Sequence, residues 1–226
     1  MPAALVIMTR STSDPRIKAR LAPAVPQGGG RRDLALAFID DLADRCKAMP
    51  GVRLRLAVTP PVEGLRVDRP LLPADTFLAQ RGASQGERQF HVFEDLATSG
   101  FLRIVMIGSS LPDVPLGYLG RAFAILEDAP TAVVVGPSDN GACYLIGANV
   151  EPGAVPDLFS GVRWDSPYAI DDLADTCAGA GREIKRLDTW NAVIAPSDLD
   201  LLATRLRFAP DTARHTAAAL RTLKLL

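Results

Sequence analysis

The stretch from Arg103 to Gly147 constrains the fold more than any other part of this chain. Two apolar runs, Ile104–Ile107 and Ala132–Val135, have strand length and β-branched content, and each ends in a polar turn containing glycine. Between them, Val114–Leu126 carries apolar residues at helical spacing. Strand, helix and strand in that order predict parallel strands joined by a crossover helix. In open parallel sheets, ligands bind beyond the carboxyl ends of the strands. The turns Gly108–Asp113 and Gly136–Gly141 are therefore the first places to look for chemistry.

The same reading extends along the chain. Ala3–Met8 is the first buried strand, and Val52–Val58 alternates as a second. Arg31–Met49 is helical, with Leu34, Phe38, Leu42 and Cys46 at four-residue spacing. Thr9–Gly30 reads as a long loop and Thr59–Thr76 as irregular, proline-rich chain. Phe77–Leu78 begins a short strand, and Glu87–Ser99 has helical spacing. Cys143–Gly147 and Glu183–Leu187 are short strands. Asp157–Phe159, Tyr168–Ala178, Pro196–Arg207 and Asp211–Leu226 are expected to be helical. With no clean linker, the expectation is one α/β domain over residues 1–226, closing in a helical segment at 196–226. Leu220, Leu223 and Leu226 are candidates for exposure there, which suggests a homodimer.

The 226 residues carry a net charge of −1, which gives no electrostatic case for binding nucleic acid or an acidic membrane. No segment reaches membrane-spanning length. Three cysteines far apart predict neither a disulfide framework nor a zinc knuckle, and a cytoplasmic setting is expected. Cys143 reads as a buried small residue rather than a nucleophile. Only His91 and His215 are present, which argues against a Ser-His-Asp triad and a multi-histidine metal site.

There is no Walker P-loop, and Gly28-Gly29-Gly30 lies too far past the first strand for a dinucleotide fingerprint. The loop after the first strand is basic instead, with Arg10, Arg16, Lys18 and Arg20. Lys18 and Arg20 lie near a strand's carboxyl end, where they could neutralise phosphates; the alternative is a solvated basic loop.

Six segments, in order, resemble bacterial GT-A glycosyltransferase-like proteins of the nucleotide-diphospho-sugar transferase superfamily. Some members of that group are assigned to arsenosugar biosynthesis. The molybdenum-cofactor and phospholactate guanylyltransferases are more distant relatives. Ile17–Pro23 resembles V-K-T-R-L-A-P, and Gln80 with Gly86-Glu87-Arg88-Gln89 resembles Q-x-G-x-x-x-G-E-R-M. Ile107–Asp113 resembles I-G-[ST]-D-C-P-D, and Gly136–Gly147 resembles G-P-A-x-D-G-G-Y-Y-L-I-G. Leu158–Ser166 resembles L-F-x-G-I-x-W-S-T, and Pro196–Leu199 the closing P-E-D-L. The resemblance implies a Rossmann-like GT-A fold, with a mostly parallel central sheet holding a nucleotide or nucleotide-sugar over its strand ends. It implies nucleotide contacts from Arg10, Lys18, Arg20, Gly86, Glu87, Arg88 and Ser110. It places Asp139 and Asn140 at the reacting centre, and Gly141, Trp164, Asp165 and Ser166 on the side of an unknown small-molecule acceptor.

The departures from the pattern fall on the acids. The family's Mg²⁺ or Mn²⁺ is expected on the first Asp of D-C-P-D, which here is Ser110. The second Asp of the Pro-x-Asp-Asp-Gly turn is Asn140, and the D-V-D-T ahead of P-E-D-L is Ala192–Ala195. Ser and Asn can ligate but bring no charge, and Ile194 has no side-chain donor, so the resemblance leaves no metal ligand set. Three readings stay open: a metal-independent glycosyl- or nucleotidyltransferase, a nucleotide-binding homologue without turnover, and a structural homologue acting through a partner. Asp139 reads as a general base or as a turn carboxylate. Asp113 and Ser166 read as helix caps, and Trp164 as an acceptor platform or a loop anchor.

Overall fold

Residues 2–164 and 166–226 are described by a computed structural model. Strand β1 (Ala3–Thr9) is buried on both faces. Leu5 and Ile7 join one apolar cluster, while Ala4 and Val6 join another. Burial of both faces is what makes a central parallel strand read as an unbroken apolar run. It is flanked by β2 (Val52–Val58) and β4 (Arg103–Gly108), both parallel to it. β3 (Phe77–Ala79) lies outside β2. β5 (Val133–Pro137), β6 (Cys143–Asn149) and β7 (Ile184–Arg186) complete a seven-stranded sheet of order β3-β2-β1-β4-β6-β5-β7.

The predicted β-α-β unit is present, with α4 (Leu116–Asp128) as its helix. Its two strands are not neighbours, however. β6 runs antiparallel between them, pairing with β4 on one side and β5 on the other. The short turn between β5 and β6 makes a hairpin, and a hairpin partner must run antiparallel. The register brings the carboxyl ends to one edge: Thr9 pairs with Val58, Met8 with Gly108, and Val58 with Ala79. Leu145 of β6 pairs with both Ile107 and Gly136, which sets the end of β5 level with that edge.

α1 (Gly30–Lys47) has two apolar faces. Leu36, Ile39 and Leu42 pack with α4 residues Leu119, Phe123 and Leu126 on one side of the sheet. Leu34 and Phe38 pack on α6 (Pro196–Phe208) and α7 (Arg214–Thr222). The opposite side of the sheet is covered by α3 (Gln85–Thr98) and α5 (Ala169–Gly179), through Phe93, Leu96, Ile170 and Leu173.

Several boundaries differ from the sequence expectation. Thr59–Thr76 is not wholly irregular, because α2 (Glu63–Asp68) and a single 3₁₀ turn at Ala74–Thr76 lie within it. A 3₁₀ turn at Ala19–Leu21 likewise interrupts the long loop after β1. Asp157–Phe159 is not helical: the Asp157 carboxylate accepts hydrogen bonds from the amides of Phe159 and Ser160, closing a local turn instead. The last helix starts at Arg214, after a 3₁₀ turn at Pro210–Ala213, and ends at Thr222. Leu220 is fully buried and Leu223 and Leu226 are part-buried, so the argument for a dimer from exposed leucines fails. These side chains pack onto α1, α6 and the loop after β1. Among the described residues, no helix is long and apolar enough to cross a membrane.

Candidate functional site

The loop after β1 returns to the sheet edge through Lys18. This residue has left-handed backbone geometry, with φ at 47°, at the head of the Ala19–Leu21 turn. Its ammonium donates to the Ser109 carbonyl at 3.0 Å and the Ser110 hydroxyl at 2.7 Å. Phe38 of α1 lies beneath it, with the nitrogen 4.4 Å from the ring centroid. Burial pushes the Lys18 ammonium down to about 7. Among the described residues no carboxylate pairs with it to offset that loss of hydration.

Arg20 is exposed and, among the described residues, makes no hydrogen bond or ion pair. Arg10 and Arg16 are engaged locally. Both reach Asp14, and the Arg16 fork, assisted by Arg10, holds that carboxyl at about 2. The basic loop thus divides into two arginines that brace it, one lysine aimed at β4 and one arginine left to solvent.

The segment after β7 crosses the same edge. The Val193 amide donates to the Ser110 carbonyl at 2.7 Å, the Trp190 amide to Pro137 at 3.1 Å, and the Ser138 hydroxyl to the Trp190 carbonyl at 2.8 Å. Asn191 then makes a reciprocal pair with Asp139. Its amide nitrogen donates to Asp139 Oδ2 at 2.5 Å, and its Oδ1 accepts from the Asp139 amide at 3.0 Å. One carboxylate oxygen of Asp139 is fixed in this way.

Asn140 turns its Oδ1 to the Ala142 amide at 3.1 Å and so closes the hairpin. Gly141, with φ at 79°, lies against Pro167. A Cβ there would come within 2.3 Å of the Pro167 carbonyl oxygen, so only glycine fits both the backbone angle and the contact. At the positions where the resemblance leads one to expect acids stand Ser110, bonded to Lys18, and the hydrocarbon side chains of Ala192 and Ile194. Among the described residues, no group of three or more His, Cys, Asp and Glu could hold a metal ion.

A second cleft, of about 410 Å³, opens where α3 begins. Gly86 sits so close to the loop beyond β6 that a Cβ would approach the Phe159 carbonyl oxygen to 2.6 Å and Trp164 Nε1 to 3.1 Å. The Glu87 carboxylate accepts from the Ala83 amide at 2.8 Å, and the Glu87 amide donates to the Ser84 hydroxyl at 3.1 Å, a reciprocal cap on α3. These bonds, chiefly that from Ala83, lower the Glu87 carboxyl. Arg88 donates to the Ala83 carbonyl at 3.1 Å. Trp164 is buried, donating from Nε1 to the Phe159 carbonyl at 3.2 Å with its ring against Phe159. It anchors the loop and shares the cleft with Gly86. Ser166 donates to the Arg163 carbonyl and accepts from the Tyr168 amide, holding the turn before α5. Asp165 lies outside the described residues.

Asp113 does not cap α4. It pairs with Arg205 of α6 at 2.7 Å. Cys143 is part-buried and its thiol is pushed up to about 12 by desolvation, which leaves it inert at neutral pH. Three contributors were not singled out in the sequence: Phe38 under Lys18, the Ser109 carbonyl beside it, and Asn191 against Asp139. Asn191 directly precedes the stretch that matches D-V-D-T, and that position was its only signal.

A seven-stranded, mostly parallel sheet under helices on both faces, with loops gathered over its carboxyl edge, is the nucleotide-diphospho-sugar transferase type of fold. A protein of Desulfovibrio desulfuricans G20, provisionally described as a nucleotide-diphospho-sugar transferase, is similar at TM-score 0.84 and 25% identity, over 98% of this chain and 94% of that one. CMP:2-keto-3-deoxy-manno-octonic acid synthetase complexed with CTP is similar in fold at TM-score 0.58 and 14% identity, over 92% of this chain and 99% of that one. A cytidylyltransferase from Leptospira borgpetersenii serovar Hardjo-bovis matches at TM-score 0.57 and 12% identity, over 99% of this chain and 94% of that one. No curated protein matches the chain significantly. The chain belongs to DUF2064, a family described as uncharacterized proteins conserved in bacteria, whose model matches residues 42–166.

Proposed function

We propose that this protein is a nucleotide-dependent transferase, moving a glycosyl or nucleotidyl group from a pyrophosphate-bearing donor to a small acceptor without a divalent cation. The observation that carries the reading is the contact of Lys18 with Ser109 and Ser110. It puts a fixed cation on the sheet edge where transferases of this fold type gather their loops. Lys18 and Arg20 supply positive charge for the donor diphosphate, and a lysine freed of part of its hydration interacts with phosphate more strongly than a solvated one. The cleft beside Gly86 is the proposed place for base and ribose.

Magnesium or manganese does not fit the residues present. A hard cation needs oxygen donors, preferably anionic ones. The oxygens left from the expected set are neutral and engaged: Ser110 Oγ is bonded to the Lys18 ammonium at 2.7 Å, and Asn140 Oδ1 to the Ala142 amide at 3.1 Å. In glycosyl transfer, an acceptor hydroxyl attacks the anomeric carbon as the carbon–oxygen bond to the diphosphate breaks. The bonding pair leaves on the nucleoside diphosphate, whose charge Lys18 and Arg20 stabilise. The hydroxyl proton passes to the free oxygen of Asp139, which Asn191 orients.

The same lost acids favour a second reading, a nucleotide-binding homologue without turnover. Calorimetry with UDP, GDP and CTP, followed by product analysis with UDP- and GDP-sugars, separates the two. Binding with turnover supports the transferase, binding alone supports the second reading, and silence toward all nucleotides removes both. A cytoplasmic setting is part of the proposal and rests on the cysteine pattern alone.

A further inference from the structure

A cavity of about 1080 Å³ lies away from the strand ends. It is a side groove between the second half of α1, the start of α4 and the end of α6. Its walls include Leu116, Trp190 and Phe208, the last 87% exposed, which is unusual for a phenylalanine without a partner. Two of the lining residues carry buried polar atoms without partners. Asp113 is 7% exposed; its Oδ2 takes Arg205, while its Oδ1 is buried and unbonded. Trp190 Nε1 is likewise buried with no acceptor.

Leaving a buried acceptor and a buried donor unmet costs free energy at each. A hydroxyl has the chemistry for both roles, because it donates to a carboxylate and accepts from an indole. Arg205 lies against both groups. Its guanidinium is bonded to Asp113 and sits 5.6 Å from the Trp190 ring, while its side chain is 44% exposed. Reaching the two buried atoms from the groove requires Arg205 to change rotamer, a fast motion for a side chain exposed to this degree. The groove's polar residues are close in the chain to those of the strand-edge site. Asp113 is three residues from Ser110, and Trp190 sits beside Asn191, the partner of Asp139.

We propose that this groove binds a small organic molecule with an apolar, ring-sized body and a hydroxyl group directed at Asp113 and Trp190. That this molecule is the transfer acceptor rests on the transferase reading above; the existence of the site does not. The volume suits a small-molecule pocket, with apolar walls and few polar groups.

The test compares 2-naphthol with naphthalene by ligand-observed NMR, alongside UDP, GDP and CTP titrations of the same samples. The expected result is 2-naphthol binding about tenfold tighter than naphthalene, the scale of two added hydrogen bonds. Leu116→Asp and Phe208→Asp, both at exposed positions, should each weaken 2-naphthol at least about tenfold and leave UDP unaffected. Trp190→Phe, which keeps the ring and loses the donor, should shrink the preference for the hydroxyl. Equal or tighter binding of naphthalene, or indifference to both aspartates, overturns the proposal. A dimer in sedimentation that Phe208→Asp makes monomeric also overturns it, since the groove would then be an interface between copies. Failure of UDP, GDP and CTP all to bind, with 2-naphthol binding intact, would remove the transferase reading and keep the site.

Discussion

The ammonium of Lys18 lies 2.7 Å from the hydroxyl of Ser110, linking the loop after the first strand to the end of the fourth. The two residues are ninety-two positions apart in the chain. A part-buried ammonium meets a neutral oxygen there, and holding the proton in the native state carries a cost.

That cost sets a pH dependence. The folded-state value of Lys18 is about 7 against an ordinary 10.5. Between those values the unfolded chain holds a proton that the native state has released, so stability rises with pH across this window. Below about 7 the penalty is fully present. Lys18→Met should flatten the rise and stabilise the protein at pH 6 by an amount on the order of a few kcal/mol. Denaturant midpoints measured from pH 6 to 10.5 for both proteins check this. An unchanged slope in the variant would show that the ammonium is solvated.

Ser110→Asp alone should give a carboxylate that pairs with Lys18 and raises its affinity for a proton. The pH-dependent rise in stability should then shift to higher pH, without any response to Mn²⁺. Ser110→Asp with Ile194→Asp restores two acids and should introduce metal dependence. Isothermal titration with Mn²⁺ on the single and double variants reads the difference.

Asn191→Ala should release Asp139 without disturbing the donor cradle. Under the transferase reading it lowers kcat about tenfold to a hundredfold with little change in nucleotide affinity, and Asp139→Asn does so at least as strongly. Steady-state kinetics beside nucleotide titrations separate the effects. A loss confined to KM would place Asp139 in binding rather than proton transfer.

The C-terminal helix is held by one buried acid. Asp41 of α1 accepts from the His215 and Thr216 amides at 3.0 and 2.9 Å and from the Thr216 hydroxyl at 2.6 Å, so it caps α7 from another helix. Burial raises its carboxyl despite these bonds. Asp41→Ala should cost about 2–4 kcal/mol, the loss of a cap together with buried donors left unmet. Hydrogen exchange should show α7 losing protection first. Uniform loss over the whole chain would mean that α7 does not open independently.

The parts legible in the sequence follow local chemistry. β-branched runs marked the strands, helical spacing marked α1 and α3, and the loop that carries Lys18 was visible as basic residues at a strand's end. What was hidden depends on distance in space. Nothing near Cys143 announces that its strand will slide antiparallel between β4 and β5. Asp113 has the local look of a cap, yet Arg205, ninety-two residues later, claims it. Leu220 reads as exposed because its cover is α1, nearly two hundred residues earlier. Arg10 and Arg20 look alike in the sequence, and only Asp14 tells them apart.

The most direct measurement is calorimetry of UDP, GDP and CTP at pH 8 in EDTA, in two buffers of different ionisation enthalpy. A phosphate brought to Lys18 favours its charged form, so binding should take up a proton, and the apparent enthalpy should differ between buffers. The predicted result is binding of at least one nucleotide without metal, with proton uptake, and at least about tenfold weaker binding by Lys18→Met. Binding that appears only with Mn²⁺ or Mg²⁺, or that survives Lys18→Met unchanged, would contradict a metal-free cradle built on this lysine.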